Sequence, residues 1–220
     1  MASLRGFYAS MVGKKVVMGV TGLIGIGFVI LHSLGNLLVF RGPAAINSYS
    51  HFLKSTGELL WTLRIVLIVA VVLHVVAAVQ LTRQSRSARP IDYTKLEPQV
   101  ATIASRTMRW GGALLLIFII LHILHFTTGT IKPGGVFSKQ DVYVNVVASF
   151  RIWWVSLFYV IAMIALGLHI FHGAWSSVRS IGVSPASPEP LHKRISLVIA
   201  ILVWAAFTAV PVAVFAGFIR

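Results

Sequence analysis

The stretch LLLIFIILHILHFTTG, Leu114 to Gly129, decides how the rest of the chain is read. It is almost pure hydrocarbon, yet it carries His122 and His125. A second stretch, ALGLHIFHGAW from Ala165 to Trp175, repeats the pattern with His169 and His172. Crossing a bilayer takes about 20 mostly apolar residues. Working outward, five segments qualify, at approximately 16–40, 59–81, 108–128, 152–178 and 195–218. Open strands would leave backbone groups unpaired in lipid, so the segments read as helices. Pro211 predicts a kink in the last one or its exit from the membrane. The expected fold class is an all-α integral membrane protein with five transmembrane helices, forming one domain over 1–220.

Composition agrees. Hydrophobic residues make up 57% of the chain and charged ones 11%, and the mean hydropathy is +0.88. Soluble globular domains lie outside that range. The 19 Lys and Arg against 5 Asp and Glu give a net charge of +14. These basic residues sit at the ends of apolar segments, where they meet lipid headgroups and aqueous partners, so nucleic acid is rejected. The absence of cysteine excludes Cys-ligated iron–sulfur clusters, disulfides and thioether-attached haem. The opening MASLRGFYASMVGKK is polar and basic for too long to be a cleavable signal peptide, and the apolar run behind it is long enough to span.

The connections are short. Residues 41–58 read as loop plus an interfacial helix, and no internal repeat or separate soluble domain stands out. Lys and Arg set the orientation. With the N-terminus inside, the inner side holds Arg5, Lys14, Lys15, Arg83, Arg86, Arg89, Lys95, Arg106, Arg109, Arg179, Lys193 and Arg194. The outer side keeps Arg41, Lys54, Arg64, Lys132, Lys139, Arg151 and Arg220. The bias places the N-terminus in the cytoplasm.

Six histidines fall within spans: His32, His74, His122, His125, His169 and His172. One imidazole in a membrane helix often does no more than bond a neighbouring helix. Four of five spans carrying one points to function. At a rise of about 1.5 Å per residue, His32 and His122 lie roughly 24 and 21 Å from the inner ends of their spans. His74 and His169 lie roughly 10 and 14 Å from theirs. Span one therefore pairs with span three, and span two with span four. Two imidazole pairs at two depths suit two haems, each ligated from both faces and closed to other ligands, which fits electron transfer. Glycines near the candidates (Gly25, Gly35, Gly129, Gly167, Gly173) would make room for flat macrocycles, although glycine is common in membrane helices. His122 and His125 share a helix face, as do His169 and His172. Depth does not choose within either pair, because three residues shift it by only about 4.5 Å.

These residues resemble a family. GKKVVMGVTGL (13–23), LHSLGNLLVFRG (31–42), NSYSHFL (47–53), LHVVAAVQL (73–81), ASRTMRWGGALLLIFIILHILHF (104–126) and HIFHGAWSSVRSIGVSP (169–185) carry the likeness. The pattern is similar to the cytochrome b subunit of succinate dehydrogenase (succinate:quinone oxidoreductase), of the single-chain, five-helix, dihaem cytochrome b558 type. The resemblance covers nearly the whole chain. It implies a first-four-helix bundle around two b-type haems, His32 with His122 on the outer haem, and His74 with His169 on the inner one. It also implies a membrane anchor in the bacterial inner (cytoplasmic) membrane that binds a flavoprotein subunit and an iron–sulfur subunit on the cytoplasmic side. Electrons would pass between succinate or fumarate and membrane quinone, with menaquinone favoured, and the complex could form a higher oligomer. The chain alone would not act on succinate.

His125, His172 and Arg109 are further candidates, for a propionate or for partners of the ligands. For Arg109 a plain positive-inside anchor is equally good. Arg106, Arg179 and Arg194 share that choice, or face the iron–sulfur subunit. Quinone chemistry needs a proton donor or acceptor beside the ring. Glu58 is the one acid close to the outer end of a span; pairing with Lys54 or Arg64 is its plainer role. His51 and His192 read as loop histidines with solvated roles. Two other classes fit the histidine pattern: a cytochrome b subunit of a hydrogenase or formate dehydrogenase, and a haem-free transporter with a histidine relay.

Overall fold

A computed structural model describes residues 4–88, 102–182 and 191–220. The basic positions Arg89 and Lys95, assigned above to the inner side, lie outside the described residues. So does most of the connection between the second and third spans, and half of that between the fourth and fifth.

The described chain is helical. In order it forms α1 (Leu4–Ala9), α2 (Met11–Asn36), a 3-10 turn (Leu37–Arg41), α3 (Pro43–Ser55), α4 (Glu58–Ser87), α5 (Ile103–His122), a π-helical turn (Ile123–Thr127), α6 (Val142–Phe150), α7 (Trp153–Ser180) and α8 (Leu191–Phe215). Side chains start three of these helices by accepting an orphan amide, as helix N-termini require. Ser10 accepts from Gly13 at 2.9 Å, Thr102 from Ser105 at 3.1 Å, and Asp141 from Val144 at 3.1 Å.

Five helices are long and apolar enough to cross a membrane: Met11–Arg41, Glu58–Ser87, Ile103–Thr127, Trp153–Ser180 and Leu191–Phe215. Only 17% of the most apolar stretch of each of the first three is buried inside the chain, and 33% in the last two. Leu31, Leu63, Ile68, Ile117 and Leu202 point outward. So much exposed hydrocarbon needs a non-aqueous solvent. The chain is an all-α, multi-pass integral membrane protein.

The expected spans match these helices, but most helices run further. α2 begins five residues before Val16, and α4 continues six past Leu81. Basic and amide residues (Lys14, Lys15, Arg83, Gln84, Arg86) mark those ends. Hydropathy locates the hydrocarbon core, whereas the backbone ladder continues through polar residues into the headgroup region. Pro211 does not end α8, which continues to Phe215. The interfacial helix expected in 41–58 is α3, but α6 was missed.

α7 is the central element. It packs on α8, α5 and α2, while α2 also packs on α4. Small residues bring the backbones together: a Cβ at Gly19 would lie 3.5 Å from Ser177 Cα, and one at Gly167 would lie 3.4 Å from Trp204 Cβ. No comparable packing joins α4 to α5 among the described residues. The four helices α2, α4, α5 and α7 thus form a bundle with one loosely closed side.

One end of this bundle, here called the upper end, is covered by α3, α6 and the loop between 128 and 141. Asn47 ties them together: its amide donates to Asp141 Oδ1 at 2.9 Å and its carbonyl accepts from Val142 N–H at 2.9 Å. Ser138 N–H donates to Asn145 Oδ1 at 2.7 Å, and the Lys54 ammonium donates to the Lys139 carbonyl. The Asn47 amide, then the Val144 N–H, hold the Asp141 carboxyl below its ordinary value. A depressed carboxyl stabilises the fold above its unfolded value, and that contribution disappears as pH falls through the folded one. Asp141→Ala removes the cap of α6 and is expected to cost about 1 kcal/mol. The thermal unfolding midpoint of the detergent-solubilised protein should fall at pH 7. The gap to the unsubstituted chain should close as the buffer is taken below about pH 4, the ordinary carboxylate value.

Candidate functional site

The bundle brings the intramembrane histidines together in two levels. At the upper level His32 of α2 faces His122 of α5, with ring centroids 5.9 Å apart and planes at 82°. At the lower level His74 of α4 faces His169 of α7, with centroids 6.1 Å apart and planes at 58°. Each pair bridges helices that are not packed side by side, because α2 reaches α5 and α4 reaches α7 across the bundle. The pairing matches the one expected from depth. All four rings are only partly buried.

The levels are well separated. Thr21 touches the lower pair and His32 belongs to the upper one, eleven residues along α2, or about 16 Å. On α7, Tyr159 touches the upper pair and His169 belongs to the lower one, ten residues apart, or about 15 Å. Two helices therefore give the same spacing.

Local bonding decides which nitrogens are free. His74 Nδ1 lies 3.0 Å from the Met18 carbonyl and 3.3 Å from Thr21 Oγ1. A carbonyl only accepts, so Nδ1 carries the proton. Nε2 of the neutral ring is then an unprotonated lone-pair nitrogen. A Cβ at Gly22 would stand 3.2 Å from His74 Cε1, and one at Gly112 would stand 3.6 Å from His169 Cε1. These glycines let α2 and α5 approach the lower rings. His169 Nδ1 is buried with no hydrogen-bond partner among the described residues.

His125 belongs to a different class. It is 7% exposed, with Nδ1 at 3.0 Å from the Tyr159 hydroxyl and Nε2 at 2.8 Å from Ser149 Oγ. Both nitrogens are spent on protein. Tyr159 Oη also lies 3.4 Å from His122 Nδ1, a long contact. His172 turns away from the lower pair toward Trp175, at 6.1 Å between centroids. It lines a small cavity with Thr102, Ser105, Phe171, Trp175 and Lys193. The choice that depth left open within each doublet thus falls on His122 and His169 as the paired members.

The other candidates are scattered. Arg109 is exposed on α5, three residues from Gly112 and so on the face that meets His169. Glu58 is exposed in the first turn of α4, and among the described residues no contact brings it to the upper pair. Its expected partners are engaged elsewhere, Lys54 with the Lys139 carbonyl and Arg64 over the Trp61 ring at 5.1 Å. His51 and His192 lie in helices rather than loops, on α3 and at the start of α8. Of the glycines expected to make space, Gly35 lies under the Tyr49 ring, Gly129 against Phe137 and Gly167 against Trp204, so these serve protein packing. Gly25, two turns before His32 on the same face, has no neighbour within 4 Å of a Cβ.

Sequence reasoning missed Tyr159, Ser149, Thr21 and the Met18 carbonyl. Tyr159 had a signal, a hydroxyl within an apolar span, which has to find a partner there. Among the described residues no group of three or more His, Cys, Asp or Glu forms a metal site.

Fold and site define a five-helix membrane protein whose bundle presents two stacked pairs of imidazoles. No family model, curated protein or solved structure matches the chain.

Removal of the doubly bonded ring tests its role. His125→Ala leaves the Tyr159 and Ser149 hydroxyls facing a cavity and is expected to destabilise the protein by about 2–3 kcal/mol. His172→Ala, at a half-open site, should cost well under half as much. Thermal unfolding of both variants in detergent measures the difference.

Proposed function

We propose that the chain is the membrane-anchor cytochrome b subunit of a succinate:quinone oxidoreductase, holding two b haems by paired histidines. The carrying observation is the facing of His32 with His122 and of His74 with His169 across the bundle. The donor set fits. A metal–imidazole bond is about 2 Å, so two of them plus a ring radius of about 1 Å on each side span about 6 Å between centroids. Two nitrogens without a third or fourth protein ligand suit a metal that arrives in its own macrocycle. The open side between α4 and α5, and the empty space beside Gly25, supply room for one.

When bound, such haems supply reversible one-electron carriage within the membrane. The protein's part is positioning. His74 is fixed in the Nδ1–H tautomer by the Met18 carbonyl, which leaves Nε2 as its lone-pair nitrogen. Phe28 stacks on His32 at 5.3 Å, and Phe207 of α8 lies 5.7 Å from it. Phe118 and Phe126 flank His122, each at 5.6 Å. These rings keep water from the upper pair. Arg109 stands on the face of α5 that meets His169, where a guanidinium suits a propionate.

The likeness of the sequence motifs, rather than the geometry, supports succinate or fumarate as the substrate of the whole complex, with flavoprotein and iron–sulfur partners. It also supports membrane quinone, menaquinone favoured, as the mobile carrier, with Glu58 a candidate for its protons. The likeness also supports a bacterial cytoplasmic membrane location, and the Lys and Arg bias supports an N-terminus in the cytoplasm. The upper level would then lie toward the outer face.

The test is optical. The purified complex should show a reduced-minus-oxidised spectrum of low-spin b haem, two per chain. His32→Ala should lose only the upper haem, and His74→Ala only the lower one. A colourless, intact protein, or unchanged spectra in both variants, refutes the reading. A copurifying flavoprotein and succinate-dependent haem reduction distinguish this complex from a hydrogenase or formate dehydrogenase.

A further inference from the structure

We infer that Tyr159, His125 and Ser149 form a directional hydrogen-bond chain that sets the tautomer and donor strength of His122, and through it the redox potential at the upper level. The inference rests on reading His122 as a haem ligand.

The chain links four side chains from α5, its π-helical end, α6 and α7. His122 Nδ1 is 3.4 Å from Tyr159 Oη, Tyr159 Oη is 3.0 Å from His125 Nδ1, and His125 Nε2 is 2.8 Å from Ser149 Oγ. Each inner member has two neighbours and one proton to give, so the chain has only two internally consistent polarities. In one, Ser149 donates to His125 Nε2, His125 Nδ1–H donates to Tyr159, and Tyr159 donates to His122 Nδ1. That leaves the His122 proton on Nε2, the nitrogen that would face a metal. In the other, every donor is reversed. His122 Nδ1–H donates to Tyr159, Tyr159 donates to His125 Nδ1, and His125 Nε2–H donates to Ser149. Only the second polarity frees His122 Nε2 as a lone-pair donor.

The surroundings preserve the chain. His125 is 7% exposed and Ser149 3%. Phe126 stacks on His125 at 4.0 Å, and Phe118 and Phe150 pack edge-on to Tyr159 at 5.1 and 5.0 Å. Water is therefore a poor competitor, and no other protein acceptor within hydrogen-bond distance of His122 is present among the described residues. The lower pair is built differently, since His74 donates directly to a backbone carbonyl, which no side-chain substitution removes.

An acceptor at Nδ1 makes an imidazole a stronger donor through Nε2, which favours the oxidised metal. Loss of that acceptor should therefore raise the midpoint potential. Tyr159→Phe deletes the hydroxyl and keeps the ring. Ser149→Ala removes the terminal acceptor and keeps the two links nearer to His122. Redox titration of the haem-loaded complex, with the upper component identified by its absence in His32→Ala, should show an upward shift in Tyr159→Phe and a smaller one in Ser149→Ala. The lower component should stay where it is in both. The low-spin electron paramagnetic resonance signal of the upper haem should shift with it, because His122 loses the contact that holds its ring angle.

An upper potential unchanged in both variants overturns the inference, as does a downward shift or an equal movement of both haems. If Tyr159→Phe sheds the upper haem outright, Ser149→Ala decides the matter. A colourless unsubstituted complex refutes the haem reading itself, whereas a coloured one with immobile potentials refutes the chain alone.

Discussion

An imidazole inside a membrane has two nitrogens, and no water to satisfy either. One carries a proton that wants an acceptor, and the other a lone pair that wants a donor or a metal. That constraint sorts the intramembrane histidines. His125 has both needs met by protein hydroxyls. His74 has one met, by the Met18 carbonyl, and its ring faces that of His169. His172 escapes the problem by lying beside a cavity near the helix end. A ring with one nitrogen anchored and a matching ring opposite suits the ligand role proposed for it, whereas a ring anchored twice is a structural element.

Holding two rings across the bundle requires that their helices not close on each other. The packing achieves this by placing strength elsewhere. α7 is clasped between α2 and α8 through Gly19, Gly167 and the buried Ala162, Ala174 and Ala200, small residues that let backbones approach. α4 then leans mainly on α2, and α5 mainly on α7, among the described residues. The side between α4 and α5 carries little packing energy, so it can accommodate a bulky group without a loss elsewhere. α8 contributes no histidine to either pair. It packs along α7, which carries Tyr159 and His169 at their two depths, and it lends Phe207 to the wall around His32.

Much of this was legible in the chain. Runs of about 20 apolar residues have one structural solution in lipid, so five helices followed from Val16–Phe40 and its successors. The pairing of His32 with His122 and His74 with His169 followed from rise per residue, because helices crossing a slab of fixed thickness share one depth scale. What remained hidden was rotation. The doublets His122/His125 and His169/His172 share a face to within one turn, and only tertiary neighbours separate them. The likeness to a family of dihaem cytochromes favoured the same members, but nothing in the residues alone did. α6 was missed because VYVNVVASF is too short to span, although Asp141 in front of it is a standard start signal. The glycines misled for the opposite reason. Gly35, Gly129 and Gly167 are spent on Tyr49, Phe137 and Trp204, and a sequence does not reveal what a missing side chain makes room for.

The two levels are chemically unequal, and this bears on the proposed function. The upper pair sits in an aromatic sleeve of Phe28, Phe118, Phe126 and Phe207, reached by polarity through one tyrosine hydroxyl. The lower pair is lined by Gly22 and Gly112, with Thr21 and a backbone carbonyl at one ring and an unpartnered Nδ1 at the other. An apolar wall penalises the extra charge of an oxidised metal, while an acceptor on the ligand compensates for part of that penalty. At the upper level both influences act on His122. At the lower level the compensation comes from the main chain at His74 alone, and the cationic end of the bundle, with Arg109 on the facing helix, lies closer. Two carriers about 15 Å apart, spanning about half of a 30 Å hydrocarbon core, would therefore differ in potential by construction of the protein rather than by any difference in their ligands. A pair of identical bis-imidazole sites has no preferred direction for charge. In the proposed dihaem protein, the inequality of their walls would give it one.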